Sequence, residues 1–464
     1  MTDAPPSDAP CLRFERGTLL WDAGPEWPAP PDFISDGRVG RPRARACEYR
    51  TTVEWLVDQQ IPYHDHARAW IPMADLRHLA PRDPRPYQTE ARDAWLAGGK
   101  RGVVVLPTGT GKSYLAEMCI MATQRPTLVV VPTIDLLAQW HRRLSACFDT
   151  PIGVLGGGSH ELGPITVSTY ASAYIHVERY GDRFGLVIFD EVHHLPSESH
   201  RAIALGLMAP FRLGLSATPE RADDAHLDLD ALVGPQLYRK LISDMSGDYL
   251  APYETIRLQV HLSQAEQEAY DLTQATWRGF VRQQRINLGG RDGWQRFLQA
   301  SARSKAGRAA HKAWRDGRRI AHGTERKLDL LDDLLVEEQA NRALIFTDDN
   351  ATAYRIAREF LIPIITHQTP AKERTAILDG LSSGHYRVVV TSRVLNEGVD
   401  LPEVGMAVVV SGTGSVREHV QRLGRILRPS AGKQAILYEM VTARTAEERT
   451  SERRREHEAY GGGE

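Results

Sequence analysis

The sequence predicts an α/β protein with two parallel sheets, a small N-terminal module and a helical insert. Short apolar segments alternate with helical stretches from about residue 82 to 240 and again from about 327 to 450, the rhythm of parallel sheets flanked by helices. The passage LPTGTGKS (Leu106 to Ser113) follows one of these strands directly and opens a helix. The stretch between the two sets is helical in composition and rich in arginine.

Residues 1–80 open with a Pro-rich run and carry Trp21, Trp27, Trp55 and Trp70 with few long apolar segments, so they are expected to form a separate small domain. The first α/β domain is expected over 81–245, with strands at Gly102 to Leu106, Thr127 to Val131, Ile165 to Ser168, Leu186 to Phe189 and Arg212 to Leu215. The second is expected over 246–464, with strands at Ala343 to Phe346, Ile362 to Thr366, Val388 to Thr391, Met406 to Val410 and Ala435 to Glu439. Two such sheets make a ligand held between them an economical architecture. The insert lies at about 265–325. Across 265–327 it holds 14 Lys or Arg against 6 Asp or Glu, a local surplus in a chain whose formal charge is −2. Trp277, Phe280, Trp294, Phe297 and Trp314 are interleaved with Arg278, Arg282 and Arg285, a mixture suited to phosphate contacts and base stacking. Most of these aromatics are expected in the insert's own core.

Length (464 residues) suggests about three domains. The four cysteines, Cys11, Cys47, Cys119 and Cys147, include no Cys-x-x-Cys spacing, so neither a zinc knuckle nor an iron–sulfur cluster is indicated. There is no signal peptide and no apolar span of about 18 residues, which predicts a cytoplasmic, nucleoid-associated protein away from membranes. Near-neutral charge means that any nucleic-acid surface must be local.

The chemistry begins at LPTGTGKS. Gly109 and Gly111, with Thr108 and Thr110 between and beside them, let the backbone turn successive N–H groups toward one anion at a helix N-terminus. Lys112 suits the β- and γ-phosphates of ATP, and Ser113 the magnesium ion. The usual pattern has glycine six residues before its lysine, where this chain has Leu106. About 80 residues on, the apolar run LVIF ends in Asp190 and Glu191. Asp190 then reaches magnesium and Glu191 polarises the attacking water. In the second set, QRLGRILR (Gln421 to Arg428) places Arg425 and Arg428 three apart on one helix face, an arrangement suited to an arginine finger on the γ-phosphate. TSRVLNEGVDLP, from Thr391 to Pro402, follows a strand, and its Gly398 and Asp400 suit a loop touching both nucleotide and nucleic-acid backbone.

In this order the motifs resemble those of superfamily-2 helicases and translocases, whose motor domains are RecA-like. RPYQ (Arg85 to Gln88) resembles the adenine-sensing motif, with Gln88 pairing with the base. PTIDLLAQW and VSTYAS resemble motifs that grip the strand's phosphates. Asp190, Glu191 and His193 match the DEVH box, and Ser216, Ala217 and Thr218 match the element that links hydrolysis to strand movement. FDEVHHLPSESH, APFRLGLSATPER, FLIPIITHQT and SGTGSVREHVQRLGRILRPSAGK are similar to the XPB branch (xeroderma pigmentosum group B helicases) in its short prokaryotic form. That resemblance implies a damage-recognition-like N-terminal domain, a helical thumb, 3′ to 5′ movement on DNA, a role in repair and, in prokaryotes, a nuclease partner. It also implies an Arg-Glu-Asp element used in opening duplex DNA. Here those positions are Arg221, Ala222 and Asp223, with Asp224 one residue beyond. The central acid is missing, so translocation without strong unwinding stands beside the helicase reading.

Two histidine groups invite a metal reading. In DEVHH the consecutive residues point in different directions and the helicase roles account for them. His64, Asp65 and His66 have no further ligand at a diagnostic spacing and read as a polar loop or edge of the first domain.

Overall fold

The computed structural model of the chain describes residues 6, 9–38, 40–221, 223–241, 244–245, 253–290, 292–339, 341–392, 404–412 and 435–455. Two units make it up: residues 1–107 with 111–240, and residues 241–464, with which 108–110 are grouped.

In the first unit, CLRFE and TLLWD form β1 (Cys11–Glu15) and β2 (Thr18–Asp22), the first with Leu12 buried and the second buried through Leu19, Leu20 and Trp21. Arg16 and Gly17 join them, both at positive φ (48° and 76°), the backbone that a tight two-residue hairpin requires. With β3 (Ile34–Asp36), β4 (Arg41–Arg45) and β5 (His64–His66) they form a sheet in the order β3-β4-β2-β1-β5. Leu12, Leu19, Trp21, Leu56 and Trp70 pack behind it, and Met208 from the neighbouring sheet's side joins the same cluster. The N-terminal module therefore shares a core with the sheet that follows.

That sheet contains β6 (Arg101–Val105), β7 (Thr127–Val131), β8 (Ile152–Gly156), β9 (Ser159–Glu161), β10 (Ile165–Thr169), β11 (Leu186–Asp190), β12 (Phe211–Ser216) and β13 (Gln236–Arg239). Their order is β13-β6-β12-β11-β7-β10-β8-β9, and every pairing is parallel except β8 with β9. Val103 to Val105, Leu128 to Val131 and Leu186 to Phe189 are buried, as continuous apolar runs must be when helices cover both faces.

The second unit carries a six-stranded parallel sheet: β14 (Tyr253–Val260), β15 (Ala343–Phe346), β16 (Ile364–Ile365), β17 (Val388–Thr391), β18 (Met406–Val409) and β19 (Ala435–Thr442), in the order β14-β19-β18-β15-β17-β16. The run expected as a strand over Ile362 to Thr366 pairs only at Ile364 and Ile365. Pro363 inside it has no N–H to give a ladder, which confines the segment to a short edge strand.

Between β14 and β15, ahead of helix Glu325–Glu337, lie helices Gln264–Gln283, Gly293–Arg303 and Lys305–His322. The first begins at a capping box: Ser263 Oγ accepts from the Glu266 N–H at 3.3 Å while Glu266 returns a bond to the Ser263 N–H at 2.9 Å. Phe280, Phe297 and Ala310 form the small core of these helices with Trp277 against it, while Arg278, Arg282 and Arg285 are exposed.

Candidate nucleotide-hydrolysis site

Strand β6 delivers the chain into LPTGTGKS, where Gly109 and Gly111 stand at φ +85° and +84°. A Cβ at Gly111 would meet Gln88 Nε2 at 2.6 Å, so the loop needs glycine there both for its backbone and for its neighbour. Leu106, where the usual pattern has glycine, is fully buried and its N–H donates to the Ser216 carbonyl at 3.0 Å. It still belongs to the sheet, so the anion-holding turn begins after it. Lys112 Nζ donates back to the carbonyls of Leu106 (3.1 Å) and Pro107 (3.4 Å), which folds the ammonium over the loop. Lys112 and Ser113 begin helix Lys112–Thr123, whose free N–H groups add to the positive end.

Gln88 is buried in the first turn of helix Pro86–Ala97. Its Oε1 accepts from the Arg85 N–H at 3.0 Å, and its Nε2 donates to the Gly111 carbonyl at 3.5 Å. Arg85 extends to the Tyr87 hydroxyl at 3.2 Å. The RPYQ segment is thereby tied to the phosphate loop.

Asp190 ends β11. One carboxylate oxygen accepts from Trp140 Nε1 at 2.8 Å and the other from the Glu191 N–H at 3.1 Å. Burial pushes this carboxyl above its ordinary range, against the opposing pull of Lys112 and the Trp140 bond. Glu191 sits at φ +47°, a left-handed backbone that a glutamate adopts only where the surroundings impose it. Its Oε2 lies 3.5 Å from His193 Nδ1 and 3.5 Å from Ser216 Oγ, and His193 Nδ1 lies 3.3 Å from Ser216 Oγ. Ser216 Oγ in turn accepts from the Thr218 N–H at 3.1 Å, across Ala217. The acid, the histidine and the serine of β12 form one buried polar cluster.

Arg221 extends this cluster. Its Nη1 donates to the His193 carbonyl at 2.8 Å, while Nε and Nη2 bind Asp223 at 2.9 and 2.7 Å. The side-chain bond from Arg221 holds the Asp223 carboxyl well below the usual carboxylate range.

The remaining candidates divide. Thr391, expected among the nucleic-acid contacts, is fully buried at the end of β17 and its hydroxyl donates to the Ser392 carbonyl at 2.9 Å; the β15 partner strand beside it leaves no side-chain surface for a direct contact. Ala222, Gly398, Asp400, Gln421, Arg425 and Arg428 lie outside the described residues. In the His64-Asp65-His66 group, Asp65 accepts from Tyr49 Oη at 2.5 Å and from the N–H groups of Ala67 and Arg68 at 3.2 Å each, the work of a turn-capping residue. His78, Glu117 and Cys147 offer ligand atoms within 4.8 Å of one another, but Glu117 already binds Arg82, Arg143 and His78, a combination that repels a cation.

Two residues were not singled out. Trp140 stands in PTIDLLAQW, yet it is buried and holds Asp190 rather than any strand. Its signal was chemical: a buried indole N–H needs an acceptor. Arg212 is buried in β12 with donations to the carbonyls of Ala209, Leu232 and Leu207 (3.2, 2.6 and 2.9 Å), a role no local pattern announces.

A parallel sheet carrying a phosphate loop and a buried Asp-Glu pair at its carboxyl ends is the framework of a nucleoside-triphosphate-hydrolysing motor of the helicase class. Comparisons with known proteins narrow this. Residues 12–67 match the xeroderma pigmentosum group B helicase damage recognition domain, residues 82–221 the type III restriction enzyme res subunit family, and residues 326–430 the helicase conserved C-terminal domain. The chain is 40% identical to the DNA 3′-5′ translocase XPB2 of Sulfurisphaera tokodaii, over 96% of this chain and 99% of that protein. It is 32% identical to the DNA 3′-5′ helicase XPB of Mycobacterium tuberculosis over 77% of this chain, a match that spans 60% of the mycobacterial protein. In fold it is similar to the Hef helicase domain of Pyrococcus furiosus, with a TM-score of 0.50 at 18% identity, over 79% of this chain and 97% of that one. The chain belongs to the XPB family of helicases. Among the described residues, no helix is long and apolar enough to cross a membrane.

Proposed function

We propose that this chain hydrolyses ATP to move 3′ to 5′ on DNA in repair, coupling each turnover to movement along or opening of the duplex. The observation that supports the reading is the continuous path from Glu191 through His193 to Arg221, which would join a water-orienting acid to the element that the family resemblance assigns to duplex opening. In this mechanism Lys112 and the loop N–H groups of 109–113 bind the phosphates, Gln88 and Arg85 meet the base, and Glu191 orients and deprotonates the attacking water. Arg425 and Arg428 supply charge that offsets the developing negative charge, with Gly398, Asp400 and Gln421 alongside.

A magnesium ion suits the donor set. Asp190 is a buried carboxylate whose ionised form lacks a full counter-charge. Asp190 and Ser113 would hold the ion, which in such sites neutralises phosphate charge.

One observation favours translocation without strong unwinding. Ala222 replaces the acid of the duplex-opening element, and Arg221 is bound by Asp223 and the His193 carbonyl. A nuclease partner is an expectation carried by the family resemblance alone. The experiment is ATP hydrolysis measured beside unwinding of a forked duplex with a 3′ single-stranded arm, for wild type and Ala222→Glu. DNA-stimulated hydrolysis with weak unwinding that Ala222→Glu strengthens supports the reading. Strong wild-type unwinding unchanged by the substitution makes the element dispensable, and hydrolysis indifferent to DNA removes the motor reading itself.

A further inference from the structure

Within the second unit, helices Gln264–Gln283 and Lys305–His322 and the residues after β18 and β19 enclose a cavity of about 270 Å³. Tyr270, Trp277 and Trp314 stand on its walls, and His322, Gly412 and Glu447 at its inner end. Gly412 follows β18 and Glu447 follows β19, so the cavity opens at the carboxyl ends of a parallel sheet, the edge where open α/β folds take their ligands. Pockets for drug-sized ligands run to about 300–1,000 Å³, so this one accepts a single ring system rather than a whole nucleotide.

The polar groups say which kind of ring. Glu447 is already bound by Lys327 Nζ at 2.7 Å and by the Thr442 N–H at 3.0 Å. His322 is held neutral by burial beside it. The inner end therefore offers no free charge, and neither a metal ion nor an isolated phosphate is matched there. Gln274 differs: its Oε1 accepts from Trp277 Nε1 at 3.1 Å, while its Nε2 has no partner among the described residues and is left to donate. Arg278, on the first wall helix beside Trp277, acts on the Tyr270 hydroxyl. Arg278, Arg315 and Arg319 are exposed on the two wall helices. An aromatic side chain of a protein would also suit the walls, but the exposed arginines of the wall helices favour a ring carried on a polyanionic chain.

We propose that this cavity receives one unstacked nucleobase of the bound DNA strand, its ring against Trp277 and Trp314, its edge accepting from Gln274 Nε2, and a neighbouring phosphate at Arg278. The proposal rests on the reading that the chain moves on DNA. It gives the helical insert a single base-holding site, where diffuse phosphate attraction alone would give it none.

The test uses the full chain and forked duplexes whose 3′ arm carries one abasic nucleotide at successive positions, with binding and DNA-stimulated ATP hydrolysis both measured. A base–aromatic stack lost at one register should weaken binding there by roughly 5- to 100-fold while adjacent registers change little. Trp314→Ala removes a wall but risks the fold of the insert. Thr450→Trp instead fills the cavity from its rim. It should bind the intact fork as weakly as wild type binds the abasic one, lose register dependence, and still hydrolyse ATP at saturating DNA. Intact DNA stimulation with no abasic-sensitive register, or a Thr450→Trp protein that keeps full discrimination, overturns the cavity assignment alone. Absent DNA stimulation in the wild type overturns the motor reading and this assignment together.

Discussion

Two buried carboxylates, one in each unit, are treated in opposite ways. Asp190 has hydrogen bonds from Trp140 and from a backbone N–H, yet burial still pushes its carboxyl upward. Burial would also push Glu447 upward, but the Lys327 ammonium, with the hydrogen bond from the Thr442 N–H, overcomes it and holds the carboxyl below its ordinary range. Around Glu447 the network closes: Lys327 also reaches the Val410 carbonyl at 2.7 Å, His322 lies 3.9 Å from Asp348, and Arg318 binds Asp348. A buried charge that is fully matched holds structure together. One left partly unmatched marks a candidate functional site.

The sharpest test of the first carboxylate pair is Glu191→Gln. It should cut DNA-stimulated phosphate release by roughly 10³-fold or more while leaving ATP and DNA binding largely intact, as loss of a water-orienting group requires. Surviving turnover would move that role to another residue.

For the matched network, Lys327→Met strands Glu447 without its cation and should cost about 3–5 kcal/mol in denaturant unfolding. The double variant Lys327→Met, Glu447→Met should recover most of that loss. If the double variant is no better than the single, the pair is not acting as a unit.

Proton linkage reads the same network more gently. Burial drives His322 down to about 4, from an ordinary value of about 6.5, amid Asp348, Asp349, Glu447, Arg318 and Lys327. The unfolded chain therefore takes up a proton first. His322's contribution is complete above about pH 6.5, falls at up to about 1.4 kcal/mol per pH unit, and levels off below about pH 4. Between about pH 6.5 and 4.5, before carboxylates protonate, His322→Gln should flatten this slope in unfolding measured across pH.

The smallest effect is expected at the exposed end of the first cluster. Asp223→Asn removes the carboxylate that occupies Arg221, so DNA affinity should rise several-fold and its salt dependence steepen. Unchanged salt dependence would mean that Arg221 does not exchange Asp223 for a phosphate.

Much of the fold was legible because parallel strands buried on both faces are written as continuous apolar runs: β7 (Thr127–Val131) and β15 (Ala343–Phe346) begin and end where the sequence places them. Edge strands were harder. Ser159–Glu161 and Gln236–Arg239 are short and half-exposed, with no apolar run to mark them. At the candidate site, the loop over 106–113 and the Asp190-Glu191 pair stand out in the sequence since their pattern is local. Thr391, expected as a contact residue, is buried with its hydroxyl on the backbone, because strand position, and not residue type, fixes which it meets.

The sequence by itself determined the α/β class, the order of motifs and the residues proposed to bind phosphate and activate water, because each depends on neighbours within a few positions. Only the tertiary structure decided that Trp140 holds Asp190 across 50 residues, that Arg221 closes onto the His193 carbonyl across 28, and that Lys327 reaches Glu447 across 120. Hydrogen bonds and ion pairs act over a few ångströms of space regardless of separation along the chain, so the pairing that tunes a buried charge exists only once the sheets have brought its partners together.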